Sequence, residues 1–113
     1  VKFISINPQH TATDTYLGAE RTAIIPNTDT ALFLAMAYHA LENGWDDKEY
    51  MAKYTVGADK WIAYVKGETD GQPKTPAWAA KITGIEEQQI KDLCELIATS
   101  KTAIAGSWAI QRA

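Results

Sequence analysis

The stretch Ile24-Ile25-Pro26-Asn27-Thr28-Asp29-Thr30-Ala31-Leu32 constrains the chain most. A short apolar, β-prone run from Thr22 to Ile25 ends at Pro26. Proline has no N–H for a sheet ladder, so the strand stops there. Beyond it, Thr28 or Asp29 can accept the first free N–H groups of a helix. A strand that feeds through a polar turn into a helix is the usual ligand-bearing edge of an α/β sheet. The expectation is therefore an α/β fold whose strand ends converge on one edge.

The rest of the chain is read around that edge. Residues 2–6 form an apolar run with Phe3, Ile4 and Ile6, read as a strand that Asn7-Pro8 ends. Thr11, Thr13, Asp14 and Thr15 make a polar loop with at most a short helical turn to Leu17, and Gly18 is a turn or C-cap. Arg21 to Ile25 is the second strand, so this part reads as β–loop–β, with a crossover too short for an ordinary helix. The most secure helix spans 29–43, with Ala31, Leu34, Ala35, Tyr38 and Leu41 at helical spacing.

Asp46 and Glu49 stand at capping-box spacing ahead of a helix that turns Met51 and Tyr54 inward. A short helix over 58–65 groups Trp61, Tyr64 and Val65. Thr75-Pro76 is a helix start, with a hydroxyl cap and proline at the first position, and Trp78, Ala79 and Ile82 form the apolar side. The last helix spans 86–99, with Ile90, Leu93, Cys94 and Ile97 at i, i+3, i+4 and i+7. Residues 102–105 read as a third strand. The predicted class is α/β, a Rossmann-like partial domain with a short, mostly parallel sheet and about five helices.

Composition bounds the function. The 113 residues suit one domain with one modest core, and an apolar content of 46% favours folding over disorder. A net charge of -3 with no Lys/Arg cluster argues against nucleic acid. No apolar run approaches membrane-span length, so no membrane partner is expected. The single cysteine, Cys94, excludes an internal disulfide and any multi-cysteine metal centre. The chain opens inside a strand and closes on Ser107 to Ala113 without a cap, which reads as a piece of a longer protein.

Little in the residues is overtly catalytic. No Gly-rich phosphate loop is present, and His10 and His39 are too far apart in sequence for a metal pair. Asp46-Asp47 and Glu86-Glu87 read as helix-start charges rather than paired catalytic carboxylates. Cys94 reads as a core residue. Three clusters at strand ends are candidate ligand contacts: Asn7-Pro8-Gln9-His10, Pro26-Asn27-Thr28-Asp29, and Ser107 to Arg112. Ordinary turns and caps are the alternative at each.

The run NPQHTATDTYLGAERTAIIPNTDT, from Asn7 to Thr30, resembles the molybdopterin oxidoreductases of the dimethyl sulfoxide, trimethylamine N-oxide and biotin sulfoxide reductase type. The resemblance continues through KYTVGADKW and GETDGQPKTPAWAAKITGI to GSWAIQR, at matching spacing over essentially the whole chain. It implies a single segment, 1–113, of a Rossmann-like domain in a large S-oxide or N-oxide reductase. Its cofactor would be molybdenum held by two molybdopterin guanine dinucleotides, one of them bound in part by this segment. The stretch that ligates the metal through serine in such enzymes has no match here, so the chain alone is not catalytic. The implied partners are the remainder of the reductase chain and a cytochrome electron donor, and the implied location is the periplasm.

The resemblance also implies cofactor-binding residues. Asn7 and Pro8 match a strand end that contacts the nucleotide, although many relatives carry aspartate at the Asn7 position. His10 often has a basic or polar counterpart; the alternative is a surface-loop histidine. Asp29 offers two acceptors to the adjacent N–H donors of guanine, the alternative being N-capping. Pro26 and Asn27 complete that pocket. Trp108, Gln111 and Arg112 match a motif beside the cofactor, where Arg112 would meet a phosphate and Trp108 would wall the pocket or only pack. Two readings of other classes stand beside this one: a stand-alone nucleotide-binding module, and a structural or interaction domain with no ligand.

Overall fold

The computed structural model describes residues 1–106. Two short parallel strands, β1 (Ile4–Ile6) and β2 (Glu20–Thr22), flank α1 (Ala12–Leu17) in sequence. Five helices follow: α2 (Asp29–Glu42), α3 (Lys48–Tyr54), α4 (Ala58–Val65), α5 (Pro76–Thr83) and α6 (Glu87–Thr99). The class is α/β, as the sequence indicates, with six helices among the described residues rather than about five.

Three departures from the sequence reading have physical causes. The crossover between the strands does hold a helix. Thr11 and Asp14 form a reciprocal capping box, and Gly18 ends the helix in the left-handed conformation at φ 58°. Strand β2 stops at Thr22 rather than Ile25. Ile24 turns into the core, and the Ile25 N–H donates to the Thr83 carbonyl at 3.0 Å, a helix end instead of a neighbouring strand. Residues 101–106 are irregular, and Ile104 is exposed. An apolar run becomes a strand only where a ladder partner receives it, and here β1 and β2 pair only with each other.

Strand alternation divides the sheet into two faces. Register pairs Ile4 with Glu20, Ser5 with Arg21 and Ile6 with Thr22. The Ser5 hydroxyl stands on the side of Asp14 of α1, whose carboxyl pKa it lowers, whereas the Thr22 hydroxyl accepts a 3.0 Å bond from Gln89 of α6. Helices α1 and α6 therefore cover opposite faces.

The core lies among α2, α5 and α6 rather than on the sheet. Leu32, Ala35 and Met36 of α2 pack with Ala79 of α5 and with Ile90, Leu93 and Cys94 of α6; Ile24 and Ile85 close it from the loops. The buried stripe of α2 runs through Ala31, Leu32, Ala35 and Met36, while Leu34, Tyr38 and Leu41 are only half-buried. The helix is apolar over most of its surface, so spacing alone does not select which stripe faces α5 and α6. Cys94 is buried as expected, its thiol directed to the Met36 carbonyl at 3.2 Å. Burial raises the thiol pKa.

Helix starts follow local chemistry. The Thr75 hydroxyl accepts from the Trp78 N–H at 3.1 Å, with Pro76 at the first position. The cap of α3 is Asp47, which accepts from Tyr50 N at 2.8 Å, not Asp46. Helix α3 buries no residue, and Tyr54 is exposed. Trp61, Tyr64 and Ile82 also lie at the surface, leaving Val65 and Ala79 to face inward.

One buried residue, Lys74, carries no sequence signal. It is 2% exposed, and its ammonium donates to an Asp70 carboxylate oxygen and to the Gln72 carbonyl, both at 2.6 Å. The Tyr64 ring centroid lies 4.2 Å away, a cation–π distance. This ties the 67–73 turn down over α4. Gly67 makes the turn possible: its φ is 81°, and a Cβ there would sit 2.3 Å from the Pro73 nitrogen.

Two outcomes are expected on chemical denaturation. Leu32→Ala, at a position 1% exposed, should lower the unfolding free energy by about 2–5 kcal/mol. Gly67→Ala should lower the unfolding midpoint more than Gly71→Ala, because Gly71 has open space around its missing Cβ; equal effects would contradict the close turn.

Candidate functional site

Parallel strands end at the same edge, so the loops after β1 and β2 leave the sheet together. The Asn7 N–H donates to the Thr22 carbonyl at 3.1 Å and extends the ladder by one bond. The Asn7 side-chain oxygen accepts from the Gln9 N–H at 3.1 Å, an Asx turn that carries the chain out over Pro8. Its amide nitrogen makes no bond to the described residues. Pro8, Gln9 and His10 are exposed.

The second loop is built differently. Ile24 is buried and Ile25 is anchored to Thr83, so residues 26–28 project from a fixed base. Asn27 has φ 65°, the one non-glycine residue in the left-handed region among those described, and asparagine tolerates that conformation better than most. The Thr28 hydroxyl donates to the Ile25 carbonyl at 2.6 Å and is thereby withdrawn from capping α2. Asp29, half-buried at the first position of α2, is not its N-cap, and its carboxylate accepts no hydrogen bond and joins no ion pair among the described residues.

Arg21, which the sequence does not single out, joins the two loops. From the middle of β2 its Nη2 donates to the Asn7 carbonyl at 3.2 Å and the Pro8 carbonyl at 2.7 Å. Only the parallel register reveals this, because 14 residues separate Arg21 from Asn7. The signal available in the sequence was a charged residue inside a short strand.

The structure thus brings Asn7, Pro8 and His10 to one strand end and carries Pro26, Asn27 and Asp29 from the adjacent one. Trp108, Gln111 and Arg112 lie outside the described residues. Two surface depressions lie elsewhere. One, of about 300 Å³, is bounded by Ile4, Thr22, Gln89 and Leu93, the other, of about 410 Å³, by Ala80, Lys81, Ile85 and Glu87. Among the described residues, no cluster of three or more His, Cys, Asp or Glu side chains is arranged to hold a metal ion. Nor is any helix long and apolar enough to cross a membrane. Among the described residues the edge offers acceptors, amides and one held guanidinium.

Asp14 stabilises the approach to the first loop. Its carboxyl is held below the usual carboxylate range by the Ser5 hydroxyl first, then by the Thr11 N–H, with a smaller contribution from His10. The Thr11 N–H bond is 2.7 Å.

The comparisons fall on this framework. The dimethyl sulfoxide/trimethylamine N-oxide reductase of Rhodobacter capsulatus is 40% identical over 111 residues, 98% of this chain and 14% of that protein. Trimethylamine-N-oxide reductase 1 of Escherichia coli K12 is 41% identical over 115 residues, 99% of this chain and 14% of that protein. The trimethylamine-N-oxide reductase of Haemophilus influenzae is 41% identical over 111 residues. Acetylene hydratase from Pelobacter acetylenicus shares the fold, with a TM-score of 0.77 over 96% of this chain and 14% of that one, at 24% identity. No family model matches. The α/β segment with its strand-end loops is therefore of the kind found in molybdopterin oxidoreductases. Within that class the chain belongs to the dimethyl sulfoxide/trimethylamine N-oxide reductase family, and it spans about 14% of the length of the curated relatives it matches.

The depressed pKa of Asp14 predicts a pH dependence. A carboxyl whose folded pKa lies below its unfolded value, about 3.9, contributes its stabilisation above that value and loses it as pH falls through the folded pKa. Thermal melts should show Asp14→Asn less stable than the parent chain at pH 6, with the gap closing below about pH 4. A gap that persists unchanged at pH 2.5 would assign Asp14 a role unrelated to its charge.

Proposed function

We propose that this chain is the segment of a molybdenum-dependent S-oxide or N-oxide reductase that helps to bind one guanine dinucleotide half of a bis-molybdopterin cofactor. The observation that carries the reading is Asp29. Its carboxylate stands at the strand-end edge with no partner among the described residues, after Thr28 has turned its hydroxyl to Ile25. Guanine presents two adjacent N–H donors, which match two carboxylate acceptors. Asn27, held beside it in the left-handed conformation, and the Pro26 backbone would line the same pocket.

Asn7 and Pro8 would meet the nucleotide from the neighbouring strand end, and the free Asn7 amide suits a ribose hydroxyl. His10 would lie at the rim. For the phosphates the reading depends on Arg112, with Trp108 and Gln111 beside it. When bound, the cofactor supplies the oxygen-atom transfer; this segment supplies binding and orientation and is not catalytic alone. By the same reading the segment is part of a Rossmann-like domain, its remaining contacts are with the rest of the reductase chain, and the whole protein works in the periplasm with a cytochrome as electron donor. Identity of about 40% to the named reductases over nearly the whole chain supports this assignment over a module of its own kind.

The test is Asp29→Ala in the full-length protein that carries this segment. Guanine nucleotide released by acid hydrolysis, counted per folded molecule, should fall several-fold, with molybdenum falling in parallel. Unchanged nucleotide and metal content in a folded variant would remove Asp29 from the guanine pocket.

A further inference from the structure

Arg21 is the one described charged side chain with a buried nitrogen left unpaired: its Nε has no hydrogen-bond partner among the described residues. Its Nη2 serves two backbone carbonyls, those of Asn7 and Pro8. Among the described residues the ion pairs are Lys2 with Glu20, Lys74 with Asp70 and Lys91 with Glu87, and none of them involves Arg21. A guanidinium held in this way is poorly suited to simple stabilisation, because a buried N–H without a partner costs desolvation energy that a methionine of similar length would avoid.

The geometry has a clearer purpose at the strand end. Chain direction changes at Asn7-Pro8, and Pro8 has no N–H with which to brace the turn. The first carbonyls beyond β1 are instead gripped from the adjacent strand by one charged donor, and charge-assisted bonds are stronger and more directional than neutral ones. Resting on the reading above, that the Asn7–His10 loop meets the guanine dinucleotide, we infer that Arg21 is a positioning residue for that site: it holds the Asn7 and Pro8 carbonyls and so fixes where the Asn7 amide is presented. Its charge, in no ion pair among the described residues, also favours an anionic ligand there.

The experiment uses the full-length, cofactor-loaded protein and follows the first-order release of guanine nucleotide at a fixed elevated temperature. The variants are Arg21→Met, Arg21→Lys, Asn7→Ala, the Arg21→Met/Asn7→Ala double variant and Asp29→Ala. Arg21→Met keeps the stem and removes the donors, and it should speed release on the order of tenfold. Arg21→Lys retains a charged donor and should recover most of that loss. Because Arg21 acts through Asn7, the double variant should release no faster than the more impaired single one.

Additive effects would overturn the positioning role, as would Arg21→Met at the parent rate while Asp29→Ala accelerates release; in the latter case the guanine site itself stands. Parent rates in both Arg21→Met and Asp29→Ala would overturn the site along with the positioning role. Should Arg21→Met not fold, Arg21→Gln, which has a shorter reach and no charge, takes its place with the same expected direction.

Discussion

The packing of α2 against α5 and α6 is the interaction on which everything else depends. Ala35 and Ala79 are both fully buried, and small side chains at a helix contact let the backbones approach closely. Leu32 and Ile90 fill the space on either side. The two strands have only three residues each and do not constitute a core of their own. They are held by the helices: Ile24 enters the α2–α5–α6 core, Ile25 is bonded to the end of α5, and Gln89 of α6 reaches Thr22. The helical core thereby fixes the base from which the 26–28 loop projects.

That dependence explains how two short strand-end loops are held in place. Each loop is tied down by a bond between one of its own side chains and nearby backbone. The Asx turn at Asn7 and the Thr28-to-Ile25 bond satisfy local polar groups, and among the described residues the Asn7 amide nitrogen and the Asp29 carboxylate have no partner. The Arg21 bridge adds a constraint between the strands at the same edge. The proposed binding role would need such support, because errors in side-chain placement otherwise pass directly into the contacts.

The helices were legible because their start signals are chemical and local. Thr75-Pro76 and the periodic stripe of α6 both lie where the residues indicate. The Asp46-Asp47 pair shows the limit: both are competent caps, and local chemistry alone does not choose between them. Of the candidate site, the Asn7 and Asp29 ends were legible as strand–turn–helix punctuation, whereas Arg21 and Lys74 were not. A lone arginine or lysine carries no period, and its partners are named only once the chain has brought distant backbone carbonyls or a neighbouring carboxylate within reach.

The sequence by itself determined the class of fold, the strand-to-helix turn after Pro26 and the family, since these rest on local chemistry and on motifs read in order. Tertiary structure decided which apolar runs became strands, which stripe of α2 was buried and which polar groups were left free. Residues 102–105 have the same β-prone character as the true strands and remain irregular, because a strand exists only through its neighbour's hydrogen bonds. For the same reason, only the folded chain shows that the Thr28 hydroxyl donates to the Ile25 carbonyl instead of accepting from an N–H of α2, and that the Asp29 carboxylate has no partner among the described residues.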